Sequence, residues 1–317
     1  MNLLKIGLSK CKVRYICGLL KGEFLKHLYF TSNSMKYTCA VCGSNDSVLF
    51  EKAGTYELHR CKKCTFTFIP KDFYKNNDVS AQYVENASST ADYYESSAKF
   101  DRMNFTALLK EIERYKKGGT LLDVGSNIGT FVSVARTRGW NAIGIEPNPQ
   151  AFAYAASKNL PMKNGFFTEE LCNKEGIANA DVITMNDVIE HVFEPMDMLN
   201  TAYSVLKDDG IISVVTPNID TFFGKKYQTK PLEHLIYFTI PSMRYALEKA
   251  GFEVISIKNT PRYRHIGNMT KSTAGFSAME KAMISFAKLP PVNFAISTAV
   301  RFLIFDELTA IARKKKK

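Results

Sequence analysis

From residue 120 onward the chain alternates between short apolar runs and segments with helical spacing. Residues 120–124, 142–146, 181–185 and 211–216 are compact runs of apolar and β-branched residues, which predict buried strands. Between them, segments near 129–138, 148–158 and 195–207 repeat apolar positions every three or four residues and predict helices. Residues 241–250 carry proline in the first turn and Gly251 just past the end, the punctuation of another helix. Residues 252–258 and 308–313 predict two more strands. This alternation is that of a doubly wound, Rossmann-like α/β sheet.

The remaining segments are less regular. Phe105, Leu108, Leu109 and Ile112 predict a helix over 100–115, which Gly118-Gly119 ends. Residues 277–305 are rich in Met, Phe, Ile and Ala but interrupted by Lys288, Pro290-Pro291 and Arg301, which predicts two short apolar helices around a proline break. A buried lid or dimer face and a lipid-facing surface both satisfy that pattern. Leu4, Leu8, Ile16, Leu20, Phe24 and Leu28 alternate with lysines as in a basic amphipathic helix. Met35 opens a second plausible start, so residues 1–34 read equally as upstream, non-native sequence. The expected organisation is a basic segment over 1–36, a small module over 37–70 and a helical linker or cap over 71–119. An α/β domain then fills 120–317, with an apolar insert at about 265–305.

Charge changes the picture only once it is located. The net charge is +11 over 317 residues, but 1–36 carries +6 and 258–317 carries +9, leaving 37–257 at −4. A mildly acidic core does not suit a nucleic-acid backbone. The tail Arg313-Lys-Lys-Lys-Lys317 and the apolar insert instead suggest peripheral contact with the inner face of a membrane. No run approaches the ~18 apolar residues of a spanning helix and no secretory leader is evident, so a reducing cytoplasm is the expected compartment.

Four of the seven cysteines form Cys39-x2-Cys42 and Cys61-x2-Cys64, eighteen residues apart. That spacing predicts a four-thiolate structural zinc site whose two knuckles are joined by a hairpin, with strand-forming residues at 56–60 and 65–69.

The first predicted strand runs into Asp123-Val-Gly125-Ser126-Asn127-Ile-Gly129. A glycine turn here lets backbone amides approach a ligand, but the dinucleotide pattern G-x-G-x-x-G is absent, which disfavours NAD. Asp123 suits a ligand bearing an ammonium group. Glu146 ends the next strand, 23 residues on, where a carboxylate accepts both hydroxyls of a ribose. Asn186 and Asp187 end another strand and face the same crevice.

The stretches DVGSNIGTF, IGIEP and MNDVIEHV, taken in order, resemble the cofactor motifs of class I S-adenosylmethionine-dependent methyltransferases carrying an N-terminal zinc ribbon, with ELTAIARK as the final strand. The resemblance covers 37 to about 313 and implies a seven-stranded sheet. It implies that Gly125 and Asn127 line the methionine part of S-adenosylmethionine, that Glu146 holds the ribose, and that Asn186 lies on the methionine side. The adenine would lie near Gly165-Phe166. Asn127 departs from the family's middle glycine, but asparagine tolerates a left-handed backbone.

His234, in a loop after residues 211–217, is the candidate base, with Glu233 to assist or orient it. Similar Glu-His pairs serve catalysis in zinc-ribbon methyltransferases acting on deoxysugars; Pro231 stands where those carry tyrosine. His191 is read as a supporting residue. The implied reaction is O- or C-methylation of a small acceptor, most consistent with a sugar or glycan precursor. The alternative is an RNA or protein methyltransferase whose ribbon recognises the macromolecule. The oligomeric state is left open.

Overall fold

The computed structural model describes residues 37–74, 90–263 and 289–315, with Ala282, Ser285 and Phe286 besides. The basic segment 1–36, much of the apolar insert and the last two lysines lie outside the described residues. Eleven strands are described: β1 Ser47–Ala53, β2 Tyr56–Cys61, β3 Thr67–Phe68, β4 Thr120–Val124, β5 Asn141–Glu146, β6 Met162–Asn164, β7 Ala180–Asn186, β8 Leu206–Pro217, β9 Ile236–Tyr237, β10 Phe252–Thr260 and β11 Glu307–Lys314. The α-helices are α1 Thr90–Ile112, α2 Thr130–Thr137, α3 Pro149–Ser157, α4 Glu169–Lys174, α5 Pro195–Val205, α6 Phe222–Gln228, α7 Ile240–Lys249 and α8 Pro290–Leu303.

Seven strands form the central sheet in the order β10-β11-β8-β7-β4-β5-β6. Pairing is parallel from β8 to β6, and β11 enters antiparallel between β8 and β10. Because successive strand residues point to opposite faces, each strand feeds two cores. Leu121, Val182, Ile211 and Ile311 pack with Leu109, Ile112, Phe131 and Trp140 on the α1–α2 face. Their neighbours Leu122, Ile183, Ile212 and Ala312 pack with Leu199, Met243 and Leu247 on the α5–α7 face. This is the doubly wound sheet the alternation predicts.

Boundaries shift where local chemistry overrides the period. The helix predicted to 207 ends at Val205, since Leu206 is already extended (φ −76°, ψ 145°) and opens β8. The helix expected over 100–115 runs from Thr90 to Ile112. In the insert, the described helix begins at Pro290, the proline supplying the first turn rather than a break.

A second, four-stranded sheet has the order β1-β2-β3-β9. Its first three strands belong to the cysteine module. The fourth comes from the far side of the chain, Thr67 pairing with Tyr237 and Phe68 with Ile236. Phe66, Phe68, Leu58 and Cys61 share one core with Phe238, Met243 and Phe252. The module and the large sheet thus pack as one body, with residues 37–317 grouping as a single compact unit.

Candidate functional site

The hairpin β1–β2 brings the two cysteine knuckles together. Gly43 (φ 74°) and Thr65 (φ 61°) turn the chain back, their amides donating to the carbonyls of Cys39 and Cys61 at 2.8 and 3.0 Å. The Sγ atoms of Cys39 and Cys64 are 3.6 Å apart, those of Cys42 and Cys61 3.4 Å. All four sulfurs lie within 4.8 Å of one another. A tetrahedral Zn–S distance of about 2.3 Å places sulfurs roughly 3.8 Å apart, so the donor set fits. The contact with Cys64 favours the thiolate form of Cys39, the form that binds a metal.

The candidate crevice lies at the carboxyl ends of β4, β5 and β7, adjacent in the sheet. Asp123 Oδ1 accepts from Thr184 Oγ1 at 2.8 Å and Asn186 Nδ2 at 3.1 Å. Asn186 Oδ1 is buried with no hydrogen-bond partner among the described residues. Gly125 and Ser126 donate their amides to the Ile145 carbonyl, and the Ser126 hydroxyl also seals the turn onto Asp123 O and Ile145 O. A Cβ on Gly125 would meet Val188 at 2.5 Å, and φ of +67° disfavours one in any case. Asn127 adopts φ 50°, the left-handed conformation its sequence position calls for, with its own Oδ1 accepting the Ile128 amide at 2.8 Å. Gly129 (φ 77°) caps α2.

Glu146 is 2% exposed and fastens this loop. Its Oε2 accepts the Asn127 amide at 2.7 Å and its Oε1 the Asn148 amide at 2.8 Å. Each oxygen keeps a second lone pair for a hydroxyl. Asp187 sits differently from expectation: with φ 54° its carboxylate turns to Arg262, 2.6 Å away, which also faces Glu307 at 3.6 Å. Phe166, beyond β6, is 65% exposed.

Asp123 gives this crevice a pH dependence. Burial, with Glu146 adding to it, raises the carboxyl to about 7 against the hydrogen bonds from Thr184 and Asn186. The folded, ligand-free chain therefore holds a proton here that an unfolded one sheds near 4, and its stability falls as pH rises from about 4 to about 7. A cationic ligand favours the ionised form. Binding of such a ligand is accordingly expected to tighten by up to about tenfold per unit between roughly pH 5.5 and pH 7. In Asp123→Asn, affinity measured across that range should be weaker and flat; a wild-type profile equally flat would contradict the assignment.

The loop bearing His234 lies where the two sheets meet. The loop before β9 is tied to the module by Ile69 N donating to Leu235 O (3.1 Å) and Tyr74 OH donating to Pro231 O (2.6 Å), and to the large domain by Leu235 N donating to Glu190 O (2.9 Å). His234 is 6% exposed and donates its Nδ1–H to the Gln228 carbonyl at 2.9 Å, placing the lone pair on Nε2. Burial, then His191 and Lys230, hold its imidazole neutral, down to about 3. The Glu233 carboxylate pairs with Lys230 at 3.2 Å instead of His234, because its side chain is 63% exposed and points outward. Orientation of His234 thus comes from a backbone carbonyl. His191, reached by donation of Nδ1–H to Glu233 O at 2.6 Å, stacks edge-on to His234 with ring centroids 5.1 Å apart. Glu190 and Arg262 carry no local signal in the sequence: the former looks like any helical acid, and the latter finds Asp187 from 75 residues away.

Residues 98–257, about half of the chain, match the sequence profile of a family described as a methyltransferase domain. The chain belongs to this methyltransferase-domain family, and its central sheet is the Rossmann-like methyltransferase fold. Among curated proteins, the C-methyltransferase NovU of Streptomyces niveus is 23% identical over 145 residues, covering 44% of this chain and 34% of that protein. The ubiquinone biosynthesis O-methyltransferase of Caulobacter vibrioides is 32% identical over 106 residues, covering 32% of this chain and 42% of that protein. The chain thus matches less than half the length of either relative. A SAM-dependent methyltransferase from Archaeoglobus fulgidus superposes with a TM-score of 0.50 at 19% identity, over 70% of this chain and 99% of that one, which shows the shared fold.

Proposed function

We propose that the protein transfers the methyl group of S-adenosylmethionine to the oxygen or carbon of a small-molecule acceptor, a sugar or glycan precursor, and that Cys39, Cys42, Cys61 and Cys64 hold a structural zinc ion. The observation that carries the donor assignment is the convergence of Asp123, Asn186 and Glu146 on one crevice beside the Gly125–Gly129 turn. Relatives named for O- and C-methyl transfer support the two classes of nucleophile.

When bound, S-adenosylmethionine supplies a methyl already activated on a sulfonium, which needs an in-line nucleophile. Asp123 and Asn186 would face the ammonium and carboxylate end, Glu146 the ribose hydroxyls, and Gly165-Phe166 the adenine. His234 lies in the loop before β9, and its Nε2 would take the proton the acceptor sheds. The test is labelled S-adenosylmethionine with fractionated metabolites, glycolipids and RNA. Label is expected in a sugar-containing small-molecule or glycolipid fraction; label confined to RNA or protein would overturn the acceptor class.

No helix among the described residues is long and apolar enough to cross a membrane. Exposed Phe286, Leu289, Phe294 and Phe305 nonetheless support peripheral contact with an anionic surface, where a lipid-linked acceptor would sit. The protein should float with anionic but not neutral liposomes, and high salt should release it. Failure to float at low salt would rule this contact out.

A further inference from the structure

The chain leaving β7 passes Val188, whose side chain packs where a Cβ on Gly125 would lie, and turns through the 3-10 turn Ile189–His191. Glu190, in that turn, is 1% exposed. Its Oε2 accepts from Thr216 Oγ1 at 2.9 Å, while its Oε1 is buried with no hydrogen-bond partner among the described residues. Its backbone carbonyl accepts the Leu235 amide at 2.9 Å, which ties the turn to the loop before β9. A carboxylate oxygen of Glu190 and a ring nitrogen of His234 lie within 4.8 Å of each other. His234 spends its Nδ1–H on the Gln228 carbonyl, so Nε2 is the nitrogen that carries the lone pair.

The cations on this side are engaged with other carboxylates. Arg262 pairs with Asp187 at 2.6 Å and faces Glu307 at 3.6 Å, and Lys230 pairs with Glu233 at 3.2 Å. Burial, with the Asp187 and Glu307 carboxylates adding to it, pushes the Glu190 carboxyl well up against hydrogen bonds from its own amide and Thr216. Burial also keeps the imidazoles of His191 and His234 neutral. With Oε2 receiving the Thr216 hydroxyl, the carboxyl proton belongs on Oε1, the oxygen without a partner. We propose that Glu190 donates a hydrogen bond from Oε1–H to the acceptor oxygen that gains negative charge as His234 takes the acceptor's proton.

The inference rests on the reading of His234 as the base and gives that base a complement. A proton acceptor and a proton donor this close suit a group that sheds a proton and keeps the charge on oxygen. The acceptor's proton passes to His234 Nε2, and its nucleophilic atom gains the methyl while sulfur keeps the C–S electron pair. Glu190 keeps its own proton throughout. A carboxylic acid held neutral by its apolar setting can donate to an oxyanion that a carboxylate would repel. Ionisation of Glu190 would therefore abolish its contribution.

The test compares the full, zinc-loaded chain with Glu190→Gln, which keeps an N–H donor, and Glu190→Met, which keeps only the bulk. The infrared difference between wild type and Glu190→Gln near neutral pH should show the C=O band of a carboxylic acid; carboxylate bands in its place would overturn the proposal. Transfer is read as label from S-adenosylmethionine entering the sugar-containing metabolite fraction. Glu190→Gln should stay close to the wild-type rate, and Glu190→Met should lose about a hundredfold while S-adenosylhomocysteine binds both equally. The wild-type rate should also fall at alkaline pH as Glu190 ionises, a decline missing from Glu190→Gln. Transfer by Glu190→Met at the wild-type rate, or a Glu190→Gln as slow as Glu190→Met, would fell this role alone. Absence of transfer by the wild type would fell the methyltransferase reading and this role with it.

Discussion

Replacing Cys61 with serine is expected to lower the melting temperature of the whole 37–317 unit, not to release one small module from an intact domain. Cys61 is fully buried and lies in the core that also contains Phe238, Met243 and Phe252. Its strand leads through β3 to β9, and β9 begins two residues after His234. Metal binding to four thiolates is worth an apparent ~10–16 kcal/mol, so one lost ligand removes about 3–4 kcal/mol, or roughly 10 °C in a unit of this size. Calorimetry of the variant beside the wild type tests this, and zinc content measured on both shows the cause. An unchanged single transition, or a small early transition followed by one at the wild-type temperature, would show that the module and the domain are independent.

The second large effect concerns Glu146. Removing its carboxylate in Glu146→Ala frees the Asn127 and Asn148 amides and takes away both proposed ribose contacts. Charge-assisted hydrogen bonds lost as a pair weaken binding by about a hundredfold, or ~3 kcal/mol. Glu146→Gln retains one acceptor oxygen and should fall between. Because the carboxylate also fastens the Gly125–Gly129 turn, the alanine variant should lose some thermal stability even without ligand. A normal affinity in the alanine variant would mean that the ribose lies elsewhere.

Much of the large sheet was legible because its signals are local. Buried parallel strands are continuous apolar runs, and the helices between them announce themselves by period and by proline or glycine at their ends. Asn127 was legible for the same reason: a left-handed position after a strand selects glycine or asparagine, and the structure gives φ 50°. What could not be read depends on contacts between distant residues. β9 is two residues long and exists only because Thr67 and Phe68 present an open edge to it. Seen from sequence, the cysteine module was an appendage; through β9 it becomes a wall of the loop that bears His234. Asp187 has the right sequence position for the crevice, but Arg262 claims its carboxylate. Glu190 was invisible because its burial is set by Thr216, Leu235 and the two histidines around it.

Calorimetric titration of the zinc-loaded chain with S-adenosylmethionine tests the proposed donor crevice most directly. One site per chain is expected, displaced by S-adenosylhomocysteine and lost or greatly weakened in Glu146→Ala. Absence of binding in the folded, zinc-loaded wild type would contradict the assignment of the crevice between β4, β5 and β7.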